Sequence, residues 1–77
     1  MRNNTIDLHG LKREDAFILV EDELLRLSNI GPFDAHIITG NSKPMQTGVK
    51  EVCERHGFNY ITLSHNLGEI IVTYTGL

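Results

Sequence analysis

The chain has 77 residues, 40% of them apolar and 22% charged, with a formal net charge of −3. That length holds one domain, residues 1–77, and buries only about 60–65% of the unfolded surface, so modest stability is expected. The charge excludes an overall positive field, so a polyanion partner has to be met by a local basic patch. The single cysteine, Cys53, excludes an internal disulfide and suits a reducing compartment. No apolar run approaches membrane-spanning length. Met1-Arg2-Asn3-Asn4 leads into a strand pattern rather than an apolar leader, so the cytoplasm is the expected location.

Residues 5–9 predict a strand; alternate side chains share a face, so Ile6 and Leu8 belong to a core while Asp7 and His9 point the other way together. Residues 12–29 predict a helix with Phe17, Val20, Leu24 and Leu27 at helical spacing, widened by Ala16 and Leu19, and Glu14, Glu21, Asp22 and Arg26 opposite. Ser28-Asn29 before Gly31-Pro32 stops it. Residues 34–39 predict a second strand, and Gly40-Asn41-Ser42-Lys43-Pro44 a loop in which Ser42 or Lys43 caps the next helix. That helix, residues 44–56, turns Met45, Val49, Val52 and Cys53 inward; Gly48 weakens it by up to about 1 kcal/mol relative to Ala, and His56-Gly57 ends it. Residues 59–64 and 69–74 predict two strands joined through His65-Asn66-Leu67-Gly68 as a hairpin.

The order β-α-β-α-β-β implies right-handed crossovers between parallel strands, two helices on one sheet face, and an antiparallel last strand, an α/β two-layer arrangement. Parallel first and second strands bring the turns after each to one end of the sheet, where ligands of open α/β sheets gather. Three loops then converge there: Asp7 to Gly10, Thr39 to Lys43, and Ser64 to Asn66.

Two motifs in this setting resemble the small MutS-related (Smr) domain family. Ile6-Asp7-Leu8-His9-Gly10, followed by Leu11 and an acidic amphipathic helix, is similar to the family's "LDLHG". Ile37-Ile38-Thr39-Gly40-Asn41-Ser42 is similar to its strand ending in "TGxG", and Gly68 to Tyr74 to its apolar last strand. The resemblance covers residues 5–75. It implies an α+β two-layer sandwich, like the C-terminal domain of a bacterial translation initiation factor, with a four-stranded mixed sheet and the last strand inserted between the second and third. It also implies binding of DNA or RNA and, in several members, endonuclease cleavage. Carried over by position, Asp7 and His9 are the candidate catalytic pair, and Gly10, Thr39 and Gly40 contact nucleic acid. Two departures stand out: Ser42 replaces the second glycine of "TGxG", and Lys12 stands where the family places a threonine or serine helix cap.

Phosphodiester cleavage needs a base, a donor to the leaving oxygen and cations for the charged transition state. An imidazole with an ordinary pKa of roughly 6.5 serves as acid or base, and a carboxylate two residues away on the same strand face lies about 6–7 Å along it. That carboxylate either raises the imidazole's pKa or holds water or a divalent cation such as Mg²⁺, the candidate cofactor. The ordinary reading of Asp7 and His9 is a solvated strand face. Gly40 to Lys43 offers N–H groups and a helix N-terminus to a phosphate, with Lys43 as cation; its ordinary reading is a capped strand-to-helix loop. Lys12, Arg13, Lys43, Lys50 and Arg55 are the candidate phosphate contacts, and Tyr60 or Tyr74 stacks a base where it faces outward. His65 and Asn66 read first as a hairpin turn and second as a further base or phosphate contact. His36 reads as structural or exposed, His56 as a helix-end group, Cys53 as core, and Glu21-Asp22-Glu23 as a solvated face turned away from any polyanion; no ligand spacing for structural zinc is present.

The expectation is a nucleic-acid-binding Smr-like domain with endonuclease chemistry at Asp7 and His9. The rivals are a non-catalytic nucleic-acid-binding module, motivated by Ser42 and the acidic net charge, and a protein-interaction adaptor.

Overall fold

A computed structural model describes residues 2–63 and 66–76. The elements are β1 (Arg2–Asp7), α1 (Arg13–Ile30), β2 (Phe33–Ile38), α2 (Lys43–Arg55), β3 (Asn59–Leu63) and β4 (Asn66–Tyr74). They form a single four-stranded mixed sheet in the order β1-β2-β4-β3, with β1 parallel to β2 and β4 antiparallel to both of its neighbours. The expected α+β architecture and the insertion of the last strand are therefore present.

Strand alternation sets the layers. Phe33, Ala35 and Ile37 of β2 are fully buried, while Asp34, His36 and Ile38 between them are half-buried. One sheet face is thus covered and the other partly open. Ile6, Ile70 and Val72 join the covered face, against Ala16, Val20, Leu24 and Leu27 of α1 and Met45, Val49, Val52 and Cys53 of α2. At the far end of the sheet Phe33, Phe58 and Tyr74 form an aromatic cluster with centroids 5.7–6.1 Å apart. Cys53 is inaccessible, and burial pushes its thiol up to about 11, as befits a core residue. No described helix is long and apolar enough to cross a membrane.

The helices meet closely where Gly48 of α2 receives the ring of Phe17: a Cβ built on Gly48 would lie 2.0 Å from Phe17 Cζ. Near the C-terminal end of α2, Glu21 of α1 accepts from Arg55 Nη1 at 2.9 Å and pairs with His56 Nε2 at 2.7 Å. Part of the acidic run read as merely solvated therefore ties one helix to the other. Asn4, half-buried on β1, carries a buried amide nitrogen with no partner among the described residues, which is a cost to the fold.

Candidate functional site

Pairing of Asp7 with Ile38 in the parallel β1–β2 ladder carries the two strands to one end of the sheet in step. Leu8 N–H donates to Ile38 carbonyl at 3.0 Å, so the turn after β1 and the turn after β2 are neighbours. Each leads directly into a helix N-terminus. The spatial coincidence expected of His9-Gly10 and Thr39-Gly40 is thus realised, and β3 ends and β4 begins at this same end.

The first turn closes when Leu11 N–H donates to Leu8 carbonyl at 3.1 Å, with Gly10 at φ +81°, a conformation L side chains disfavour. Asp7 has a specific task there: its carboxylate accepts from the His9 backbone N–H at 2.9 Å. The acid thus holds the turn through the main chain, without a hydrogen bond to the imidazole among the described residues. The His9 ring is exposed and has no hydrogen-bond partner among the described residues. Lys12 caps α1 without a side-chain bond, as expected from the missing serine or threonine, and Glu14 and Asp15 occupy the first turn. Those two carboxylates offset the positive helix end.

The second turn is pinned to β4. Gly68 carbonyl accepts from the N–H groups of Thr39 at 2.8 Å and Gly40 at 3.1 Å, and from Thr39 Oγ1 at 3.2 Å. Gly68 can approach because it has no side chain: a Cβ there would lie 3.3 Å from Gly40 Cα. Gln46 Nε2 donates to Gly40 carbonyl at 2.9 Å. Ser42 accepts from Met45 N–H at 3.2 Å and so is the cap of α2. Its backbone is extended, so the position needs no glycine, and its hydroxyl proton stays available to an anion. The N–H groups of Asn41, Ser42 and Lys43 have no partner among the described residues. No acidic residue lies in the first turn of α2, so this is the stronger of the two positive helix ends.

Of the five cations expected to meet phosphate, Lys12, Arg13 and Lys43 stand at or beside these helix starts. Arg55 lies at the other end of α2 in its ion pair with Glu21, and Lys50 is half-buried along that helix. Tyr60 and Tyr74 are half-buried against the core, Tyr60 also donating to Glu54 at 2.6 Å, so neither is an outward stacking platform. His65 lies outside the described residues; Asn66 begins β4 at the same edge. No group of three metal-ligating side chains is present among the described residues.

One pair escaped the sequence. On the open sheet face, His36 Nδ1 and Glu69 Oε2 are 2.5 Å apart, joining β2 to β4 across a separation of 33 residues. Strand register places Asp7 and Asp34 on this face as well, with Ile38 and Ile71. The face is therefore acidic and apolar, a character that disfavours a polyanion there. Searches of protein-family models, curated protein sequences and solved structures find no match to this chain.

Proposed function

We propose that this domain binds nucleic acid at the edge where the β1–α1 and β2–α2 turns meet, in the manner the Smr resemblance implies. The observation that carries the reading is the second turn: three unpartnered N–H groups, the Ser42 hydroxyl, Lys43 and an uncompensated helix N-terminus share one loop beside Lys12 and Arg13. These groups suit a phosphate oxygen by hydrogen bonding and charge together. Three cations in place of five set the salt dependence of binding: log K against log salt has a slope of about −2 to −2.7, between the single-strand and duplex limits. Fluorescence anisotropy with labelled DNA and RNA 12-mers from low to moderate salt measures it. Lys43→Gln reduces the magnitude of the slope by just under one. A slope near zero, or no binding at low salt, rejects the reading in favour of a protein-interaction adaptor.

The exposed His9 imidazole beside this cradle favours a second reading, strand cleavage with His9 as general acid or base. The Asp7 carboxylate supports the turn that presents His9, so Asp7→Asn lowers activity less than His9→Ala does. Nicking of supercoiled DNA and cleavage of single-stranded RNA, each with and without Mg²⁺, test it; equal turnover by His9→Ala and the parent rejects it.

A further inference from the structure

A groove of about 680 Å³ runs between α1 and α2. Its wall includes Arg13 and Lys43, the first residues of the two helices, and then Phe17, Pro44, Gly48 and Val52. The half-buried Phe17 ring rests its tip against Gly48, where a side chain would otherwise stand, and so forms part of the groove's apolar floor. Cations at one end and an apolar floor beyond them complement a ligand that carries an anion next to an aromatic ring. Further along, the groove meets the Glu21–Arg55 ion pair, whose charges offset each other, and then Glu51, whose carboxylate repels a continuing phosphate chain.

We propose that this groove seats one unstacked base of a single-stranded nucleic acid, with the adjoining phosphate on Arg13 and Lys43. The proposal rests on the interface described above and narrows its substrate class. Bases of an intact duplex are stacked inside and cannot enter; a flexible strand can turn one base outward onto Phe17. The Glu51 carboxylate disfavours a second phosphate farther along, so the groove seats a single base.

The test uses the whole chain with three probes: a deoxythymidine hexamer, an abasic hexamer of the same phosphodiester backbone, and a 12-base-pair blunt duplex. The thymidine hexamer is expected to bind about 5- to 160-fold more tightly than the abasic one, the range for one base on an aromatic ring. It shifts the amide resonances of Thr47, Gly48 and Val52 along with those of Gly10, Asn41 and Lys43. In Phe17→Leu, which keeps an apolar side chain at the site, the preference over the abasic strand disappears while abasic binding is unchanged. Equal affinity for the two hexamers in the parent, tighter binding of the duplex, or shifts confined to Gly10, Asn41 and Lys43 overturns the base site and leaves the interface standing. Absence of binding by every probe at low salt removes both.

Discussion

Replacement of Gly48 by alanine separates helix propensity from packing. In the interior of an exposed helix the change is worth about 1 kcal/mol in favour of alanine. Here the new methyl would lie 2.0, 2.3 and 2.7 Å from Phe17 Cζ, Cε1 and Cε2. Carbon atoms pack at about 3.5–4 Å, so the ring tip has to retreat by about 1.5–2 Å. Phe17 is half-buried and can swing toward solvent, but it then forfeits its contact with α2. Overpacking of this kind costs about 1–3 kcal/mol. The expected net effect of Gly48→Ala is destabilisation of about 1 kcal/mol, a drop in Tm of about 4–8 °C for a chain of this size. In a Phe17→Ala background the obstacle is gone, and the same substitution stabilises by about 1 kcal/mol. Urea denaturation of the four proteins in this cycle gives the coupling directly, about 2 kcal/mol with the two effects opposite in sign. Equal effects of Gly48→Ala in both backgrounds would refute the claim that Phe17 fills the place of the missing side chain.

Gly68→Ala pushes a methyl against the Gly40 backbone, so amide shifts concentrate in Thr39 to Lys43 and stability falls by about 1 kcal/mol; an undisturbed loop by NMR would show that Gly68 does not hold it. The hydrogen bond with His56, and then the hydrogen bond and charge of Arg55, hold the Glu21 carboxyl below its usual value near 4.5 against the opposing effect of burial. A depressed folded-state pKa stabilises above the unfolded value and is lost as pH falls through the folded one, so the advantage of the parent over Glu21→Gln shrinks below about pH 4.5 and vanishes in stronger acid. Chemical denaturation at several pH values reads this, and a gap that widened with acid would contradict it. Asn4→Val removes the unpartnered amide nitrogen and adds a strand-favouring side chain, raising stability by about 1 kcal/mol in thermal melts; a lower Tm would count against a wasted polar group there.

The elements were legible because their apolar residues repeat at the period of the structure they form. Val20, Leu24 and Leu27 on α1, and Met45, Val49 and Val52 on α2, went inward as their spacing required. Boundaries moved where pairing outweighed pattern. β1 begins at Arg2, among polar residues, because β2 lies alongside from Phe33. β4 begins at Asn66, although Gly68 interrupts its apolar run, because β3 is its partner. Gly48 looked like a weak point in a helix, since its purpose is visible only from Phe17 on another element. His36 and Glu69 gave no local sign of each other, and Asp7 carried the same two-residue relation to His9 whether its carboxylate met the ring or the main chain. Hydrophobic periodicity does not encode the strand order, in which β4 lies between β2 and β3.

The position of β4 has a consequence for how the sheet holds together. Of the four strands, the last in chain order is the one both sheet halves depend on, because β2 and β3 are joined in the sheet only through it. Without residues 66–74, the β1–α1–β2 half presents a bare hydrogen-bonding edge, and the Thr39–Gly40 turn lacks the carbonyl that anchors it. The turn proposed to bind is therefore completed by the same strand that joins the sheet, and a chain lacking residues 66–74 has neither its anchor nor the β2–β4 pairing.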